Sequence, residues 1–427
     1  MKAKKIIAAG LTATMVLGLA TGCGGGGGST AKNSAGEDIV TLKWVSLGSG
    51  MPDNYDSWIQ KVNDYLGEKI GVNLDIEIVG YGDWDNRRNV IISTNEAYDI
   101  IFGTTVNYVS DIKLGAYYDI TDLKDEYMAD LNEMMPEEYW EAVTVDGKIY
   151  GVPTYKDSSI SNYAVWDKSI VDEYNLDISQ LTELDSLTPV FEQLKADKND
   201  YPVYVKNDGV YYIFDVYDRI GAGTQILGVR YDDPDARVCF TLEEDDIYSE
   251  LETLHEWYQK GIINPDASTL SEARTYNMWR VAQGWESAGK TSWGPAMGCD
   301  VEVQKVGDTI LSNDTVQGSI NMISANTKYP EKCLETLNLL NSDSTLRDMF
   351  YYGEEGVNFE YTDDGKVHKL NQDWSWAGYT QATFFVVTPE DTDIYDQWDE
   401  IKALNEQAVP AVTLGFTLDT TEIADKQ

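Results

Sequence analysis

The chain has 427 residues, 42% of them hydrophobic and 25% charged, which is too much apolar mass for one ordinary core and suits two domains. Asp and Glu total 73 against 32 Lys and Arg, and the formal charge of −41 repels nucleic acid and anionic lipid headgroups. Four cysteines without CxxC spacing and two histidines outside any catalytic motif argue against a zinc site and a Ser-His-Asp hydrolase.

The N-terminus is basic at Lys2, Lys4 and Lys5, and residues 6–20 are uncharged. This reads as a secretory signal, because fifteen uncharged residues fall short of the about 20 that a membrane span needs. Ala20-Thr21-Gly22 followed by Cys23 resembles a bacterial lipobox, although Ala20 stands where that family usually has Leu. The resemblance implies that residues 1–22 are a removable lipoprotein signal peptide and that Cys23 carries a lipid anchor on the extracellular face of the cell membrane. Five glycines from Gly24 to Gly28 then open a flexible linker, residues 23–37.

The body opens with a β-rich run at residues 39–47 and a loop at 48–54. Trp58, Ile59, Val62, Tyr65, Leu66 and Ile70 recur at helical spacing, and Gly71 is a stop. Val72, Leu74, Ile76 and Ile78 alternate as a second strand, completing a βαβ unit that predicts parallel strands in an α/β architecture. Residues 83–94 suit a helix and 98–102 a short strand. The loops at 48–54 and 103–108 therefore follow carboxyl ends of strands, where open α/β sheets bind ligands. Asp146-Gly147 marks a hairpin, and Asp208-Gly209 and Asp364-Gly365 mark two more turns. Pro189 and Pro330 are expected in the first turns of helices reaching about Lys195 and Leu340, and residues 247–260 form an amphipathic helix closed by Gly261. Of the cysteines other than Cys23, Cys239, Cys299 and Cys333 read as three buried thiols; one disulfide among them is possible but its pairing cannot be assigned.

No stretch matches a nucleotide-binding loop, and no cofactor or metal is expected. The chain is instead rich in Trp (12) and Tyr (28), many beside turns and carboxylates, as in Asp83-Trp84-Asp85, Trp285-Glu286, Trp293 and Trp374-Ser375-Trp376. Sugar rings stack their C–H faces on aromatic rings while carboxylates and amides bond their hydroxyls. The candidate ligand contacts are Asp53, Asp83, Trp84, Tyr108, Tyr155, Trp285, Glu286, Trp293, Trp374 and Trp376, with no catalytic residue among them. Core packing is the competing role for each single ring.

In their order along the chain, several stretches resemble the extracellular solute-binding proteins of ABC importers, the broad family of maltose-binding-type receptors. They are the lipobox, residues 39–47, 98–103 and 117–123, the hairpin at 146–153 and the segment 329–340. Residues 352–360 and 414–419 are similar to a Firmicute lipoprotein subgroup with a distinctive C-terminal region. The resemblance implies a two-lobed, periplasmic-binding-protein-like (type II) α/β fold with hinge strands and an interlobe ligand cleft. It places lobe one at 38–153 with 287–316 and lobe two at 162–284 with 322–427, crossing near 153–161, Trp285 and 317–324. Relatives of the subgroup continue with further C-terminal helices, so lobe two is expected to be truncated. The function implied is that of a non-enzymatic, monomeric receptor that captures a small-molecule solute, an oligosaccharide by preference, and hands it to ABC permease subunits. A peptide or other polar organic solute stays open, as do a surface glycoside hydrolase and an adhesive lipoprotein.

Overall fold

The computed structural model describes residues 32–418, except 35, 37, 208, 221–225, 273 and 393–396. The signal segment, Cys23, most of the linker and the Asp208 half of the second Asp-Gly turn lie outside the described residues.

Two sheets organise the molecule. The first has strand order Val72–Gly80, Val40–Gly48, Ile100–Gly103, Ile320–Ile323 and Gly151–Pro153. Val40–Gly48 runs parallel to both neighbours, in register from Val40 on Val72 to Gly48 on Gly80. Ile320–Ile323 is antiparallel to both of its own. The connecting helix Tyr55–Ile70 buries Trp58, Val62 and Leu66. It ends where expected: Gly71 adopts φ 67°, and its N–H closes onto the carbonyls of Gly67 and Leu66, a left-handed cap that glycine takes without strain. Asp146 (φ 52°) and Gly147 (φ 77°) make the tight hairpin turn.

The second sheet has order Trp279–Gln283, Ile160–Asp167, Val301–Leu311 and Val409–Pro410. Ile160–Asp167 is antiparallel to both neighbours. One face packs Trp166, Phe191, Trp257 and Trp279 together, and the other packs Tyr163, Val165, Ala282 and Trp293. Each sheet thus has its own core, and the α/β two-lobed architecture is the one the sequence implied.

The lobe boundaries need correction. Residues 287–316 do not join the first lobe, because Val301–Leu311 pairs along Ile160–Asp167 in the second sheet. Nor do residues from 322 onward simply continue the second lobe. Ile320–Ile323 is inserted into the first sheet, and Leu334, Leu337, Leu346, Phe350 and Trp376 lie in the first core. The chain crosses between Pro153 and Ile160 and between Leu311 and Ile320. Trp285 is not a crossing: it sits in the turn between two strands of the same sheet. A third passage returns with the helix Gln397–Gln407 and the strand Val409–Pro410, which pairs with Ile310 and Leu311.

Pro330 opens its helix, Pro330–Ser342, as expected. Pro189 does not, since its helix begins earlier, at Leu184, and runs to Lys198 with the proline inside. Cys239, Cys299 and Cys333 are all free thiols, the first and last buried.

Candidate functional site

A cavity of about 400 Å³ opens where the two lobes meet. The first crossing contributes Lys156 and Asp157, and the turn after Trp279–Gln283 contributes Trp285. The helix Ser344–Tyr352 supplies Tyr351 and Tyr352, a following irregular segment Tyr379 and Phe384, and the return passage Glu390, Gln397 and Trp398.

The first-lobe wall is built with care for its backbone. Residues 374–385 lack regular pairing, so their carbonyls need partners from elsewhere. Arg347, 0% exposed, supplies three of them. Its Nε donates to Thr383 O (2.7 Å), and its terminal nitrogens donate to Gln381 Oε1 (2.5 Å), Gly378 O (3.1 Å) and Ala382 O (3.2 Å). Asn321 Nδ2 donates to the carbonyls of Thr380 and Gln381, and Asn341 Oδ1 accepts from Thr383 N–H. The segment starts close against the carboxyl end of the opening strand, where Ser49 N–H donates to Ser375 O at 2.8 Å and a Cβ on Gly48 would meet that oxygen at 2.8 Å. So fixed, the loop presents its rings together: Phe384 lies 5.1 Å from Trp398 and 5.9 Å from Tyr351. Tyr379 stands beside Tyr81, and burial together with that neighbour raises its phenol above the ordinary value, so it acts as a neutral hydroxyl.

Polar groups edge these rings. Lys156 Nζ pairs with Asp157 Oδ1 at 3.0 Å, and Lys369 Nζ with Glu390 Oε1 at 3.2 Å. On the second-lobe side, Trp285 Nε1 is buried without an acceptor. The helix Gln397–Gln407 touches both sides. Its Trp398 rests on first-lobe rings, while Glu400 accepts from Ser287 N–H (3.2 Å) and Gln397 Oε1 accepts from Thr291 Oγ1 (3.1 Å) of the second lobe. Adjacent aromatic faces rimmed by carboxylates, an amide and an ammonium suit a polyhydroxylated ring better than an apolar ligand.

Of the ten candidates read from the sequence, only Trp285 lines this cavity. Glu286, next to it, is exposed, as are Asp53 in the loop before the first helix and Asp83 at the N-cap of Trp84–Thr94. The remaining six do not line this cavity, and their rings pack against neighbours, with Trp374 half-buried. Trp84 packs on Phe102 (5.6 Å). Tyr108 is fully buried and donates to Val143 O. Tyr155 is wedged between Tyr139 and Phe385, and burial pushes its phenol up to about 12. Trp293 packs on Tyr163. Trp374 and Trp376 join Trp58, Trp44 and Phe350, their indole N–H groups donating to Phe350 O and Ser46 Oγ. Sequence reasoning passed over Tyr351, Tyr379, Phe384 and Trp398. Gln397-Trp398-Asp399 carries the same polar-flanked signal as the segments that were chosen.

No family model matches the chain. A carbohydrate ABC transporter substrate-binding protein of Streptococcus pneumoniae is 28% identical over 98% of this chain and 87% of its own length. The N-glycan transport solute-binding protein NgtS of the same organism superposes with a TM-score of 0.78, at 26% identity, over 90% of this chain and 87% of that one. Its complex with Man1GlcNAc gives 0.70 at 26% identity, over 90% and 87%, and its complex with Man5GlcNAc gives 0.67 at 27%, over 89% and 85%. In sequence along nearly its whole length and in its two-lobed fold, the chain is a homologue of the solute-binding proteins of ABC importers.

Proposed function

We propose that this protein is the extracellular solute-binding receptor of an ABC importer, capturing an oligosaccharide in the interlobe cleft and delivering it to a membrane permease. The observation that carries the reading is the cavity at the lobe junction, with Tyr351, Tyr379, Phe384 and Trp398 on one side and Trp285 on the other. A sugar stacked on one wall gains its second set of contacts only when the lobes approach, so ligand shifts the population toward the closed state. NgtS, which has been crystallised with two N-glycan fragments, supports the ligand class. Its sugar complexes match this chain less well than its other structure does, which supports a hinge that moves in this class of fold.

Titration calorimetry against a panel of oligosaccharides and peptides tests the ligand. Heat from at least one glycan, with a matching change in tryptophan fluorescence, is the expected result; silence from every glycan with heat from peptides sinks the reading. The lipid anchor belongs to the same proposal. Replacing Cys23 with Ser should release the protein from the membrane with ligand binding intact, and a variant that stays membrane-bound is tethered some other way.

A further inference from the structure

The chain holds eight arginines. Six of them pair with carboxylates: Arg87 with Glu77, Arg88 with Asp111, Arg219 with Asp314, Arg230 with Asp232, Arg237 with Glu244 and Arg274 with Asp200. Arg347 is held by carbonyls. Arg280 stands apart, with no hydrogen bond or ion pair among the described residues, and its Nε is buried without a partner. In a protein with 73 acidic side chains, a guanidinium with no partner among the described residues is conspicuous.

Its setting is a cavity. Arg280 lies on Trp279–Gln283, the edge strand of the second sheet. Val203 bridges Trp279 on the open side of that strand, and the chain then leaves it, so a space of about 520 Å³ forms between residues 203–212 and the strand. Gln283, at the strand end, lines this space and is two residues from Trp285, which lines the cleft cavity. Lys206 brings a second positive charge to the lining, and Asn162, Asn277 and Gln283 bring amides. Among the described lining residues the one carboxylate, Asp215, accepts from Asn162 Nδ2 at 2.8 Å and makes no ion pair with Arg280. Burial lowers the guanidinium's pKa below its ordinary value.

We infer that this cavity receives an anionic substituent of the bound glycan, a carboxylate or a sulfate or phosphate ester, with Arg280 as its planar two-pronged donor. The inference rests on the glycan-receptor reading and narrows it to acidic oligosaccharides. The surrounding amides bond the neighbouring hydroxyls. The net negative charge of the protein acts against such a ligand only at long range, where salt screens it within about 8 Å.

The test uses the mature protein and matched pairs of oligosaccharides: a neutral one, the same one ending in a hexuronate, and the same one bearing a sulfate. Calorimetry on the wild type should show the best acidic member binding on the order of ten- to a hundredfold tighter than the neutral one. In Arg280→Gln that ratio should fall to near one, with circular dichroism and thermal midpoint confirming the fold. The hexuronate and sulfate arms separate the two sources of charge. Equal affinity for neutral and acidic members overturns the inference and leaves the receptor reading standing, as does a preference that survives in Arg280→Gln. If no glycan binds at all, the receptor reading fails; titration with inorganic sulfate then decides the anion site, which stands if sulfate raises the thermal midpoint of the wild type but not of the variant and falls if it raises both or neither.

Discussion

The two walls of the cleft are built on opposite principles. On the first-lobe side the irregular segment 374–385 has its carbonyls bonded by Arg347 and Asn321, and its rings are seated before any ligand arrives. On the second-lobe side Trp285 Nε1 is buried without a partner, although such groups are not confined to that side: Trp44 Nε1, Tyr155 Oη and Asn321 Oδ1 are unpartnered as well. The first-lobe wall is thus preorganised, its rings packed on one another.

Carboxylates in each lobe are shifted by their surroundings. In the first lobe Arg87 holds Glu77 and Glu96 below the usual carboxylate range. In the second lobe burial raises Asp215 to about 6 and Glu250 to about 7, and both line one cavity.

The sharpest way to break this comparison is to damage the seated wall. Trp376→Ala should cost about 3–5 kcal/mol of stability in urea unfolding. Arg347→Met should cost a similar amount, about 3–5 kcal/mol, because several buried acceptors lose their donor together. A small loss in either variant would mean that the wall is not preorganised.

The next largest effect concerns pH. A carboxylate whose folded pKa is raised binds its proton more tightly in the folded state, so its contribution is fully present below pH about 4 and is lost as pH rises through about 6 for Asp215 and about 7 for Glu250. Asp215→Asn should therefore stabilise the protein at pH 7, by up to about 2 kcal/mol after discounting for solvent screening, and flatten the decline between pH 4 and 6. Urea unfolding across that pH range checks this: a profile in Asp215→Asn identical to the wild type would rule out this carboxylate as a source of the decline.

Trp285→Ala should weaken oligosaccharide binding on the order of tenfold while leaving the unfolding midpoint nearly unchanged, the reverse of Trp376→Ala. Smallest of all, Asp53→Asn and Glu286→Gln should move stability by less than about 0.5 kcal/mol, since both residues are exposed. They should leave calorimetric affinity within about twofold of the wild type, by the same reasoning.

Local features were readable from sequence because their causes are local. Gly71 ends a helix through its own φ, Asp146-Gly147 turns a hairpin through two positive φ values, and Pro330 sits where its missing N–H costs nothing. The allocation of 287–323 between lobes was not readable, because it depends on Val301–Leu311 and Ile320–Ile323 choosing partners some 140–220 residues away. The fate of individual tryptophans was hidden for a related reason. Trp376 has polar neighbours in sequence, yet Ser46 and Thr380 provide oxygens near its indole N–H inside the core, so a polar context did not mean a wet one. Trp398 has the same kind of neighbours and does reach a cavity, and only the tertiary structure separates the two.

The helix Gln397–Gln407 carries a further consequence. Its Trp398 is committed to first-lobe rings while Glu400 and Gln397 are committed to the second-lobe turn at 287–291. Any swing of the lobes must either carry this helix as a pivot or break one set of its bonds. The helix therefore ties the position of the ring wall to that of the second-lobe turn, whichever way the lobes move.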